Sequence, residues 1–157
     1  MRKRLIEGQP PMATHAKQPW LPVEDLAEVE FSSEDVAHPV ELAFLPSAKH
    51  GWRAAGPGAQ TIRLVFSQPQ SIRLIHLSFI EDLVGRTQEY VLRWSPDHGK
   101  SYRDIVRQQW HFSPSGATVE REDHHVDLAQ VTMLELSIIP DISGGNALAT
   151  LEQWRIA

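Results

Sequence analysis

Arginine and glutamine side chains are concentrated in two short stretches of the sequence, Gly85–Glu89 and Arg107–Gln109. An arginine guanidinium presents a planar fork of N–H donors, and a glutamine amide both donates and accepts hydrogen bonds. Groups of this kind can recognise hydroxyls or a carboxylate through directed hydrogen bonds. A second interpretation stays open, in which both stretches belong to a solvated sheet face crossed by Arg–Glu pairs.

Trp52 begins a loop of small residues, Arg53 to Gly58, that would let a ligand approach the backbone. An aromatic face beside such a loop could stack on a sugar ring, although Trp52 could also be a framework residue of the core. The predicted ligand contacts are Trp52, Arg53, Arg86, Gln88, Arg107 and Gln109.

Acidic and histidine side chains cluster between Glu120 and Asp127, where six potential metal ligands fall within eight residues. On a strand, His125 and Asp127 would share one face and His124 the other, whereas a zinc site usually takes three or four converging ligands. We interpret this segment as a charged edge strand that resists pairing with other chains. No metal site is predicted here.

Motifs and composition exclude several classes of function. The sequence has no Gly-x-Ser-x-Gly elbow, no His-Glu-x-x-His motif and no phosphate-binding glycine loop before a helix, so we expect no enzyme. The absence of cysteine removes disulfides and thiolate chemistry, and a net charge of −5 disfavours binding to nucleic acid. No apolar run approaches the roughly 20 residues of a membrane span, and Met1–Gly8 lacks the apolar stretch of a secretory signal. We therefore expect a cytoplasmic protein.

Apolar side chains recur with a period of two along most of the chain, as strands with one buried face require. The alternating sets are Ile62, Leu64 and Phe66; Ile75, Leu77 and Phe79; Tyr90, Leu92 and Trp94; Leu134, Leu136 and Ile138; and Trp154 with Ile156. The pattern predicts an all-β antiparallel sandwich of about seven to nine strands. Ser67–Gln70 is predicted to connect two strands as a short hairpin, and the only helical turn is expected at 22–27.

The 157 residues, 41% of them hydrophobic, are enough for about one domain. Residues 1–22 carry four prolines and no period, so they are predicted to form an arm, and residues 23–157 the domain.

The order and spacing of several short motifs resemble the discoidin (coagulation factor 5/8 type C) family over residues 26–157. The motifs are Gly51-Trp52-Arg53, the strand Gln88–Ser95, the turn Asp97–Tyr102 and the closing strand Leu151–Ile156. The resemblance implies a galactose-binding-like jelly roll in which loops at one end hold the ligand. In this chain those loops would be 47–59, 80–88 and 107–118, which we expect to hold a small polar ligand.

Two features depart from the sugar-binding members of that family. They usually carry an Asp-Gly-Asn-type loop before the tryptophan that helps to hold calcium, whereas residues 43–51 contain no carboxylate here. Glu152 matches the closing-strand glutamate that helps to bind this ion, but alone it makes a poor site, so no cofactor is predicted. The chain also has a single asparagine, Asn146, whereas sugar sites often use amides.

Two functions follow from these observations. The first is a non-catalytic binding module for a small polar ligand such as a saccharide. The alternative is an intracellular protein-interaction or scaffold domain, which would use a sheet face or the proline-rich arm to bind a partner or a second copy of itself.

Overall fold

The structure, a computed structural model, describes residues 20–46 and 50–157, and its regular secondary structure is almost entirely strand. The described residues form two short helical segments, α1 (Val23–Leu26) and a 3₁₀ turn (Val40–Ala43), which lie on either side of the first strand in the chain. The strands are β1 (Ala27–Phe31), β2 (Trp52–Arg53), β3 (Gln60–Ile80), β4 (Arg86–Ser95), β5 (Arg103–Phe112), β6 (Val119–Ile139), β7 (Thr150–Leu151) and β8 (Gln153–Ile156). None of the helices in this described part is long and apolar enough to cross a membrane.

The long strands β3 and β6, each of 21 residues, run through both layers of the fold. In one layer the order is β1-β3-β6-β4-β5, where Ile62 of β3 is opposite Leu136 of β6. In the other layer β8 and the N-terminal half of β6 flank the C-terminal half of β3, with Leu77 opposite Glu122. Every one of these pairings is antiparallel, which confirms the predicted sandwich.

The predicted hairpin at Ser67–Gln70 is wrong, because β3 continues through it as one strand. The pairing register with β6 shifts between Val65 and Gln70, and again before Leu74. Such irregularities bend a strand and leave backbone groups unpaired, so Pro69 is tolerated there. The polar residues and proline mark the bend between the two layers. The helical turn expected at 22–27 is confirmed by α1, but it is not the only one, because a 3₁₀ turn also forms at Val40–Ala43.

All of the predicted alternating apolar sets lie in the core between the layers. Ile62, Leu77 and Leu136 are completely buried, and the rings of Phe79 and Tyr90, one from each layer, lie 5.2 Å apart. This agreement follows from geometry, since side chains two residues apart on a strand point to the same face.

Several of the connections between strands meet at one end of the sandwich, which we call the loop end. Backbone hydrogen bonds join them there: Glu81 N–H donates to the carbonyl of Thr118 (2.8 Å) and Ala54 N–H to that of Ala149 (2.9 Å). The described parts of the predicted loops 47–59, 80–88 and 107–118 therefore reach the same end. A connection the prediction omitted, 140–149, joins them.

The charged segment Glu120–Asp127 is part of β6 and, within the described residues, pairs only with β3. This confirms the predicted edge strand. In the arm predicted at 1–22, residues 1–19 lie outside the described residues. Leu21 N–H donates to the carbonyl of Ile156 (2.8 Å), so the arm's last residues lie along β8.

Candidate binding pocket at the loop end

A cavity of about 390 Å³ opens at the loop end, and we call it the loop-end pocket. Four stretches of chain form its walls: His38, residues 50–53, residues 80–83, and Thr150 with Glu152. Its volume is within the range of pockets that hold small molecules.

The position of β2 in the wall depends on Gly51. A Cβ atom on Gly51 would lie 2.1 Å from the carbonyl oxygen of Leu151 and 2.4 Å from the Cα of Glu152. Only glycine allows β2 to approach the chain at β7 this closely. Trp52, which follows, is buried, and its indole N–H donates to the carbonyl of Ser33 (2.8 Å). Trp52 is therefore a structural residue of the pocket wall, and its buried ring offers little surface for stacking on a ligand.

Two histidines and Arg53 provide hydrogen-bond donors in the pocket lining, and the Arg53 guanidinium is a cation there. His38 Nδ1 is 2.8 Å from Asp35 Oδ2, and this hydrogen bond lowers the pKa of the Asp35 carboxyl. Because Asp35 N–H also donates to the carbonyl of Arg53 (2.8 Å), the His38 loop is fixed to β2. The rings of His38 and His50 lie edge to face, 6.3 Å apart.

Three carboxylates provide the acceptors, Glu81, Asp82 and Glu152. Glu81 follows β3 directly, and its Oε2 accepts from the N–H of Leu83 (3.1 Å). Glu152 Oε1 accepts from the Ser78 hydroxyl (2.6 Å). Together with the donors of His38, His50 and Arg53 in the same lining, these acceptors form a site suited to vicinal hydroxyls, each of which can donate one hydrogen bond and accept another.

The guanidinium of Arg86 lies beneath the pocket and joins its walls. Nε donates to Glu81 Oε1 (2.8 Å), Nη1 to the carbonyl of Pro140 (2.8 Å) and to Gln88 Oε1 (3.2 Å), and Nη2 to the Thr150 hydroxyl (3.2 Å). Arg86 is only 2% exposed. A buried arginine is stable only when its charge is paired and its donors are satisfied, as they are here.

The buried polar chain continues from Arg86 into the core. The Gln88 amide donates to Glu120 Oε1 (3.3 Å), and Glu120 is itself buried. Burial, together with the nearby Glu122 carboxylate, raises the pKa of Glu120 to about 7.

The six predicted contact residues fall in three separate places. Trp52 and Arg53 line the loop-end pocket, whereas Arg86 and Gln88 lie buried below it. Arg107 and Gln109 lie on the opposite face of the β4–β5 pair, where both donate to the carboxylate of Glu89 (3.1 and 3.2 Å). The expectation that all six form one pocket is therefore wrong.

The physical reason is strand alternation. Gln88 of β4 is opposite Trp110, and Glu89 is opposite Gln109, so odd-numbered and even-numbered residues point to different faces. The second interpretation of the Arg-Gln stretches, a solvated face with Arg–Glu pairs, describes the Arg107–Glu89 pair, in which the Arg107 side chain is 62% exposed.

Sequence reasoning missed His38 and Thr150 as pocket residues. The Asp35-x-x-His38 spacing was the only local sign of an oriented histidine. Thr150 comes from a two-residue strand that carries no periodic pattern.

Within residues 20–46 and 50–157, no group of three or more metal-ligating side chains could hold a metal ion.

No protein-family model matches this chain, and no curated protein matches its sequence. Solved structures do match. A module from Clostridium perfringens, CpGH89CBM32-5 in complex with GalNAc-β-1,3-galactose, has a TM-score of 0.61 at 15% identity, over 88% of this chain and 99% of its own.

Two further modules give the same picture. The family 32 module of C. perfringens NanJ in complex with galactose has a TM-score of 0.61 at 10% identity, over 87% of this chain and 96% of its own. The CBM32 of AlyQ in complex with 4,5-unsaturated mannuronic acid has a TM-score of 0.58 at 15% identity, over 85% and 95%. The chain therefore has the fold of these carbohydrate-binding modules, the galactose-binding-like β-sandwich that the discoidin resemblance implied.

Proposed function

We propose that this protein is a non-catalytic carbohydrate-binding module of the discoidin type, and that it binds a saccharide in the loop-end pocket. The observation that carries the proposal is the pocket itself: histidine, arginine and carboxylate groups face one cavity of about 390 Å³ at the end where the loops gather. Solved structures with this fold contain galactose, a GalNAc-galactose disaccharide and an unsaturated uronic acid, which supports a saccharide as the ligand class.

Recognition in this pocket would depend on hydrogen bonds more than on stacking. Among the described residues that line the pocket, Trp52 is the only tryptophan, and it is 1% exposed, so its ring offers little surface to cover a sugar ring. The described lining of the pocket contains no asparagine amide, so other side chains would provide the donors and acceptors. Histidine and Arg53 can donate to hydroxyl oxygens, and Asp82 can accept from hydroxyl hydrogens.

The proposal is tested with a glycan array, followed by calorimetric titration of the best ligand with two arginine variants. Arg53→Ala removes a pocket group, and we expect the affinity to fall by about tenfold or more, since a lost charged hydrogen bond costs about 1.5–3 kcal/mol. Arg107→Ala is the matched control, because this exposed arginine pairs with Glu89 away from the pocket. Equal losses in both variants, or an array without any ligand, would refute the proposal.

A further inference from the structure

An apolar groove of about 260 Å³ lies beside β1, on the flank of the sandwich away from β5. Its floor is formed by aliphatic and aromatic side chains, Val23, Val29, Phe31, Val40, Phe44 and Leu45. Phe31 is 41% exposed, so a large aromatic ring at the end of β1 remains partly open to solvent. Within the described residues β1 pairs only with β3, so the groove borders an open sheet edge.

The rim of this groove is anionic. Glu24, Glu34 and Glu41 line it, and the described residues provide Glu24 and Glu41 with no ion-pair partner. The surrounding chain reinforces this charge, since residues 20–46 contain seven carboxylates and no lysine or arginine. An apolar floor inside an anionic rim favours an occupant with aliphatic side chains next to basic ones.

The chain itself contains a segment with this chemistry. Residues 2–6 read Arg-Lys-Arg-Leu-Ile, three consecutive cations followed by two aliphatic side chains, and they lie outside the described residues. The described chain begins at Trp20, close to Val23 and Glu24 of the groove. The 14 residues from Ile6 to Trp20 can extend over roughly 45 Å, so the segment can reach the groove.

We propose that the groove beside β1 binds Arg2–Ile6 of the same chain, with Leu5 and Ile6 on the apolar floor and the three cations against the glutamate rim. This interaction is separate from the loop-end pocket, and it would cover the exposed Phe31 and the open edge of β1.

Cysteine cross-linking of the full-length chain tests this proposal, because the native sequence contains no cysteine. In one variant Ile6→Cys is combined with Phe31→Cys in the groove. In the matched control Ile6→Cys is combined with Ile142→Cys, which is 50% exposed and lies on a loop bonded to β4, three strands away. Under mild oxidation the groove pair is expected to form an intramolecular disulfide about ten times faster than the control pair.

A second set of variants tests the role of charge in the same assay. Glu24→Lys with Glu41→Lys is expected to slow cross-linking of the groove pair severalfold, and reversing Arg2, Lys3 and Arg4 to glutamate in that background is expected to restore it. Circular dichroism verifies that each variant is folded. Equal rates in the groove and control pairs, disulfide-linked dimers in place of the intramolecular bond, or rates that do not respond to charge would each overturn the proposal.

Discussion

Replacing Arg86 by methionine should strongly destabilise this protein, although Arg86 is expected to touch no ligand. The substitution retains most of the apolar bulk but removes the guanidinium that bonds to Glu81, Gln88, Pro140 and Thr150. The Glu81 carboxylate, itself only 10% exposed, would lose its cationic partner.

Breaking a buried ion pair on one side costs about 3–5 kcal/mol, because the remaining charge stays desolvated. For a domain of this size that corresponds to a fall in melting temperature of about 6–20 °C. Urea unfolding followed by tryptophan fluorescence measures the free energy of unfolding directly.

The matched control is Arg107→Met, which breaks the exposed pair with Glu89 and should cost about 1 kcal/mol or less. Adding Glu81→Gln to Arg86→Met should recover part of the loss, because it removes the unpaired charge. If Arg86→Met and Arg107→Met differ by less than about 1 kcal/mol, the assignment of Arg86 as the buried junction of the pocket walls is wrong.

Two further substitutions test other parts of the structure. Burial raises the pKa of Glu120 from an ordinary value of 4.5 to about 7, so the folded state holds this proton more tightly than the unfolded chain; stability is lost as the pH rises from about 4.5 to about 7 and levels off above that. Glu120→Gln should therefore stabilise the protein by about 1–2 kcal/mol at pH 8, allowing for solvent screening, and by much less at pH 5; an equal gain at both values in urea unfolding would contradict this. Gly51→Ala should lower stability by about 1–3 kcal/mol, because the new methyl group would overlap the Leu151 carbonyl. Gly56→Ala meets no atom within 4 Å, and a thermal melt in which it matched Gly51→Ala would refute the close approach at β2.

The sequence predicted the layers of this fold well because strand alternation is a local property of the backbone. Ile62, Leu64 and Phe66 had to share a face whatever their neighbours were. The bend at Ser67–Gln70 could not be separated from a hairpin, since both tolerate proline and exposed polar residues. Only the pairing of β3 with β6 on both sides of the bend distinguishes the two.

The site was less accessible to sequence reasoning, because its groups are brought together by contacts between distant segments. Trp52 and Arg53 were identified since they flank a loop of small residues. Arg86 and Gln88 are predicted as ligand contacts because their side chains suit directed hydrogen bonds. Their burial is not visible in the sequence, since the partner that permits the burial of Arg86, Glu81, lies in a connection without periodicity.

A titration of the isotope-labelled protein with its best saccharide, followed by backbone amide shifts, tests the central claim most directly. We predict that the largest changes map to residues 50–53, 80–83 and 150–152 around the loop-end pocket. Changes confined to the outer face around Arg107, or to the groove beside β1, would contradict the assignment of saccharide binding to that pocket.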